Sequence, residues 1–156
     1  MTFKLLSKAA LALAAMGLCL SAASAAYKSE YKLSVVPGAS SGWGQTATFF
    51  ADCVRQKSNG RINIKPYFGA QLMAGKQTSE LLLVRRGAID FALASTINWS
   101  PQIKELNLTA LPFFVANNPD RYKAIDAIEA GKSGKMLEKA IEKTGVKFLG
   151  WSENGF

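Results

Sequence analysis

The sequence predicts an α/β fold in which a mostly parallel sheet is flanked by helices. Three observations lead there. Short runs rich in β-formers alternate with stretches of helical period along the chain after residue 25. Gly, Pro and Asn punctuate the joints between them. One run, Ile89 to Ala94 (IDFALA), is apolar almost throughout, as parallel strands covered on both faces are.

Tyr31 to Val36 (YKLSVV) reads as the first strand, stopped by Pro37-Gly38. Residues 38–44 form a Gly/Ser loop, and Ser41 is a plausible N-cap for the next element. From Gln45 to Lys57 the residues Phe49, Phe50, Cys53 and Val54 recur at helical spacing, and Asn59-Gly60 ends that helix. Arg61 to Tyr67 is a strand with Ile62 and Ile64 on one face. Leu81 to Val84 lie in a helix ending at Gly87, and Ile89 to Ala94 is the third strand. A short helix is expected over Pro101 to Leu106, opened by Ser100 with proline at the first helical position. Leu108 to Phe114 is partly extended. Asn118-Pro119 opens a helix through Ala130, and Ser133 to Thr144 is an amphipathic helix carrying Met136, Leu137, Ala140 and Ile141. Gly145 ends it, and Val146 to Trp151 is the fourth strand. The order is therefore β-α-β-α-β-α-α-α-β. In such sheets ligands sit outside the carboxyl ends of the strands, which places segments 37–44, 68–76, 95–100 and 152–156 at the ligand edge.

Residues 1–25 have the form of an export signal. Lys4 and Lys8 precede an apolar stretch, Ala9 to Leu20, too short to span a bilayer, and Ala23-Ser24-Ala25 is a small-x-small cleavage site. Cys19 would suit a lipoprotein signal, but Leu18 stands where that chemistry wants Gly or Ala. Cleavage after Ala25 takes the 156 residues to 131, one ordinary domain, and the net charge from +8 to +6. Cys53 is then the single cysteine, read as a buried thiol, so there is no disulfide framework. The lysines are spread through the chain (Lys57, Lys65, Lys76, Lys104, Lys123, Lys132, Lys139, Lys147) and form no run of the kind that binds nucleic acid. A basic surface favours an anionic solute by raising its local concentration.

The chain has no histidine, which excludes Ser-His-Asp and Cys-His catalysis and His-based zinc sites, and one cysteine makes no thiolate metal site. No metal or cofactor is expected. Asp52, Asp90, Asp120 and Asp126 read as caps or solvated faces, so the chain is not expected to be an enzyme. Gly69 to Gln77 (GAQLMAGKQ) approaches a phosphate-binding loop, but its gap is one residue too long and Gln77 replaces the magnesium-binding Ser/Thr. Trp43 and Trp99 fall in segments read as loops at the ligand edge, where an indole offers a flat apolar wall and one N–H donor. Gln71, Ser95, Thr96, Asn98 and Asn154 add neutral hydrogen-bonding groups at the same edge. Trp151, inside a strand, reads as core.

Tyr31–Pro37 (YKLSVVP), Asn59–Leu72 (NGRINIKPYFGAQL), Arg86–Thr96 (RGAIDFALAST), Leu108–Phe114 (LTALPFF) and Gly145–Phe156 (GVKFLGWSENGF) together resemble the solute-binding subunits of TRAP (tripartite ATP-independent periplasmic) transporters, the dicarboxylate-binding type. The resemblance implies a periplasmic-binding-protein-like clamshell that closes on an organic acid and passes it to integral membrane subunits. On that reading residues 26–156 are the first lobe, the chain stops before the second, and the arginine that chiefly holds the solute carboxylate lies beyond Phe156. Ser95 or Thr96 stands where the branch that reads acyl sugar acids tends to place a carboxylate, and Ile97-Asn98-Trp99-Ser100-Pro101 looks more like members reading C4-dicarboxylates or sugar acids. A ligand-sensing protein feeding a membrane receptor is the alternative on the same fold.

Overall fold

The computed structural model describes residues 27–111, 115 and 118–152. Three strands form one parallel sheet: β1 (Tyr31–Val35), β2 (Ile64–Tyr67) and β3 (Phe91–Leu93), in the order β2-β1-β3. β1 is central. Leu33 sits opposite Pro66 on one side and Phe91 on the other. Parallel neighbours need crossovers, and helices supply them: α1 (Gly42–Lys57) joins β1 to β2, and α2 (Glu80–Arg85) joins β2 to β3. After β3 come a one-turn helix α3 (Thr96–Trp99), a 3-10 stretch over Lys104–Ala110, and the helices α4 (Arg121–Ala130) and α5 (Lys132–Glu142). Among the described residues no helix is long and apolar enough to cross a membrane.

Alternation along the strands builds three layers. Leu33 and Val35 of β1, with Phe91 and Leu93 of β3, pack under α1 through Ala47, Ala51, Phe50 and Val54. Small residues at 47 and 51 bring the helix close to the sheet. Gly44 lets the preceding loop pack against the start of α1, since a Cβ there would lie 2.4 Å from the Ala39 carbonyl oxygen. Ala92 and Ala94 face the other way. They meet Leu81, Trp99, Ile103, Leu106 and, from α5, Leu137, Ala140 and Ile141.

Caps set the helix limits. Ser41 accepts a hydrogen bond from the Gly44 N–H at 3.0 Å and opens α1 as expected. Its end follows the expected signal as well, with Asn59 and Gly60 both in the left-handed region (φ 53° and 76°). Asp120 caps α4 by accepting from the Lys123 N–H at 3.0 Å, so that helix begins after the expected Asn118-Pro119.

Several elements differ from the sequence reading. The helix expected at Pro101 forms one turn earlier, because Ser95 acts as N-cap for Thr96–Trp99. Residues 101–102 are then a turn, and the following stretch winds as a 3-10 helix. Phe49 points to solvent at 74% exposure, and Cys53 is half-buried; the face that meets the sheet is carried by alanines, which an apolar count overlooks. β3 is half-buried along its length because it lies at the sheet edge. Residues 146–151 form no strand and pair in no ladder. Val146, Phe148 and Trp151 pack against the α5 core, Lys147 pairs with Glu142, and Leu149 stays exposed. Phe113 and Phe114 of the expected extended stretch lie outside the described residues.

Candidate functional site

Because all three strands run parallel, the segments that follow them emerge on one edge of the sheet: residues 37–41 after β1, 68–79 after β2 and 94–99 after β3. This is the edge the sequence selects. Hydrogen bonds bind its loops together. The Gly69 N–H donates to the Pro37 carbonyl at 3.1 Å and the Ala70 N–H to the Val35 carbonyl at 3.4 Å. The Asn98 amide donates to the Gln77 side-chain oxygen at 2.8 Å, and the Gln102 amide to the Thr78 carbonyl at 2.7 Å. The Thr109 hydroxyl donates to the Thr96 hydroxyl at 2.8 Å. Loop 69–75 is also conformationally costly: Ala70 and Ala74 hold φ of 55° and 48°, a region that disfavours a Cβ. Strain of this kind concentrates where a rigid frame holds a loop for a purpose.

The expected site residues divide into three groups. Gln71 is exposed, and Ser95, Thr96 and Asn98 are half-buried, so all four present polar groups near this edge. Part of their capacity is already engaged. The Gln71 amide donates to the Phe68 carbonyl at 2.9 Å, and Ser95 accepts from the Ile97 N–H at 3.3 Å. Trp43 and Trp99 are the second group, and the structure corrects their setting. Both belong to helices and not to loops. Trp43 is half-buried against the α1 core, and Trp99 is 8% exposed in the opposite core. The Trp99 indole N–H is committed to Glu80 Oε2 at 3.2 Å, so it is not a free donor. Caps place both: Ser41 starts α1 at Gly42 and takes Trp43 into it, and Ser95 caps the turn that carries Trp99 inward. Asn154, the third group, lies outside the described residues.

Sequence reasoning missed Glu80. It is fully buried, accepts from the Ser34 hydroxyl at 2.6 Å through Oε1 and from Trp99 through Oε2. Burial raises its carboxyl above the ordinary range, against the opposing pull of the Ser34 and Trp99 hydrogen bonds. A signal was present: a serine inside the apolar run of β1 needs a buried partner. The lysines also arrange themselves differently from the sequence reading. Lys132, Lys135, Lys139 and Lys143 line one side of α5 around a shallow depression of about 410 Å³, with Glu105 and the exposed Met136. A second depression, about 360 Å³, lies between α1 and β2 and includes the Asp52–Arg55 ion pair. Of the strand-end segments, Phe68 alone reaches either depression, and none of the expected site residues lines them. Among the described residues no group of acids and cysteines could hold a metal ion.

Comparison with known proteins accounts for this architecture. Residues 33–156 match the model of bacterial extracellular solute-binding protein, family 7. A C4-dicarboxylate-binding periplasmic protein of Rhodobacter capsulatus is 27% identical over 143 residues, covering 91% of this chain and 41% of that protein. A TRAP periplasmic solute-binding protein of Ralstonia eutropha H16, solved with bound (S)-2-acetolactate, is 54% identical with a TM-score of 0.77, covering 83% of this chain and 40% of that one. Another, from a Polaromonas species bound to D-erythronate, is 25% identical with a TM-score of 0.72. The chain thus spans about two fifths of the length of these relatives. With a family match that runs from the second half of β1 to the last residue, the chain belongs to family 7 of the bacterial extracellular solute-binding proteins.

Proposed function

We propose that this chain forms the first lobe of a periplasmic solute-binding subunit of a TRAP-type transporter, one that captures a small organic acid and delivers it to membrane subunits. Residues 1–25 are the export signal, removed after Ala25, and residues 26–156 form the lobe. The observation that carries the reading is the 54% identity to a protein holding (S)-2-acetolactate, a short hydroxy-oxo acid. Other members of the fold hold D-erythronate and succinate, so a carboxylate on a short polar carbon chain is the shared chemistry.

In this lobe Gln71, Ser95, Thr96 and Asn98 supply neutral hydrogen bonds to the oxygens of the solute, and Trp43 contributes apolar wall. Trp99 acts from within, by packing beneath the 95–99 turn. The bidentate partner of the carboxylate comes from the second lobe, beyond Phe156. One lobe therefore binds poorly by itself, since closure takes contacts from both.

The test is a thermal-shift and calorimetric panel on the two-lobe protein with (S)-2-acetolactate, D-erythronate, succinate and galactonate. A ligand that binds only the folded state raises its melting temperature. Saturable binding of at least one acid, lost in the isolated 26–156 lobe, is the expected result. Tight binding by the isolated lobe, or none by the two-lobe protein, would overturn the assignment.

A further inference from the structure

The strand-end edge is backed by a buried polar contact that the solute-binding reading does not use. Glu80 opens α2, Ser34 sits near the carboxyl end of the central strand, and Trp99 closes α3. All three are buried, at 0%, 1% and 8% exposure. The carboxyl of Glu80 joins the other two, one oxygen to each.

Everything else around this contact is apolar or neutral. Leu81, Ile103, Leu106 and Leu137 share the core with Trp99. The nearby polar side chains Gln77 and Asn98 pair with each other. The ion pairs among the described residues lie elsewhere: Lys28–Asp90, Arg55–Asp52, Lys65–Glu30 and Lys147–Glu142. Among the described residues no cation pairs with Glu80. An apolar residue would fill the same space at less cost, because a buried carboxyl must be matched by donors to be tolerated. What the carboxyl adds is a fixed direction: it ties an otherwise short, one-turn helix to the central strand.

Resting on the site assigned above, we propose that Glu80 is its positioning residue. Through Ser34 and Trp99 it holds the 95–99 turn, and with it Ser95, Thr96 and Asn98, in the geometry the solute meets. The Ser34 hydroxyl donates to Oε1 and the Trp99 indole to Oε2, so each carboxyl oxygen has a donor. Ionisation places a negative charge beneath a site for anions. Affinity therefore falls as pH rises through the titration of Glu80, whose burial holds its carboxyl above the ordinary range. Glu80→Gln removes the charge and keeps a carbonyl that can accept from Trp99, while its amide replaces the oxygen that accepts from the Ser34 hydroxyl.

The experiment uses the two-lobe protein with indole ¹⁵N labelling and two readouts. The first is the Trp99 indole N–H resonance followed across pH without solute. The second is calorimetric affinity for (S)-2-acetolactate across the same range. Wild type should show the resonance titrating above the usual carboxylate range, and Glu80→Gln should flatten it. Affinity should fall with rising pH in wild type and become independent of pH in Glu80→Gln. Trp99→Phe keeps the ring packing and loses the donor, and should weaken binding by about fivefold to tenfold with the fold retained. A resonance that titrates identically in wild type and Glu80→Gln would overturn the tether. So would unchanged affinity in a folded Trp99→Phe protein. If no acid binds, the assignment of the site fails, whereas the indole titration still decides whether Glu80 makes the tether.

Discussion

The two faces of the sheet are built from neighbouring residues of the same strand and yet are unlike. On one face Leu33 and Val35 meet the alanines of α1, and the buried polar side chain there, Ser58, serves as the cap of that helix. On the other, Ser34 meets Glu80 and Trp99, and the apolar cluster of α2, α3 and α5 closes around them. The first face needs only complementary shape, and small residues at 44, 47 and 51 provide it. The second carries the turn that holds Ser95, Thr96 and Asn98, and there direction matters as well as volume. The difference shows how one α/β sheet can join a face set by shape to a face set by direction. A dry face fixes the strands, and a face with paired polar groups orients the residues at their carboxyl ends.

The largest test of this division is a cavity in the second face. Leu81 is fully buried in the cluster shared with Trp99 and Leu137. Leu81→Ala should cost about 2–5 kcal/mol of stability in chemical denaturation. Leu33→Ala on the first face should cost a similar amount, at 3% exposure. Both should shift one common transition, because β1 belongs to both cores. Two separate transitions, with only one displaced by each substitution, would show that the faces unfold independently.

A steric test on the first face comes next. The close approach at Gly44 leaves no room for a methyl group against the Ala39 carbonyl. Gly44→Ala should destabilise by about 1–3 kcal/mol, although alanine is intrinsically the better helix former. A neutral or stabilising outcome would mean that loop 38–41 yields freely, and that the dry face is less closely fitted than its geometry indicates. Removing the cap of the same helix is milder. Ser41→Ala should cost about 1 kcal/mol, read as a shift in denaturation midpoint without a change in slope.

The contrast between the faces also explains what could be read from sequence. On the first face the strand and the helix ends are legible, because the β-formers of YKLSVV and the Ser41 and Asn59-Gly60 signals are local, whereas the alanine face of α1 is not. The edge segments after β1, β2 and β3 followed directly from parallel order. The second face was not legible. Ser34 looks like an interruption in an apolar run, and Glu80 like an ordinary first-turn acid, until the fold brings them within 2.6 Å. Trp99 was assigned to a loop because Pro101 suggested the helix start, whereas the Ser95 cap acts first. Segment 146–151 has the composition of a strand, but a strand also needs a ladder partner, and none of the described residues supplies one. Composition reports what a segment could pair with, not whether the partner is present.

The smallest expected effect concerns pH, where the two sides of the protein should respond in opposite directions. Asp90 precedes β3, accepts from the Lys32 N–H at 2.9 Å and pairs with Lys28. Burial alone would raise its carboxyl, but the Lys28 and Lys32 contacts together outweigh that and hold it below the ordinary range. A lowered carboxyl contributes stability that is present above its unfolded pKa and lost as pH falls through the folded value. Glu80 has the opposite sign, since its carboxyl is raised. Its contribution is full below the unfolded pKa and lost as pH rises through the folded one. Asp90→Asn should therefore flatten the acid limb of the stability profile and leave the alkaline side unchanged, while Glu80→Gln should do the reverse. Lys28 is more than half exposed, so solvent screening limits the Asp90 effect to roughly 1 kcal/mol or less, and added salt should reduce it further. The Glu80 limb, with no cation partner and no solvent contact, should be insensitive to salt. Urea midpoints measured across pH at two ionic strengths separate the limbs. An alkaline limb that moves with salt would place Glu80 in an unrecognised ion pair and remove the distinction between the faces.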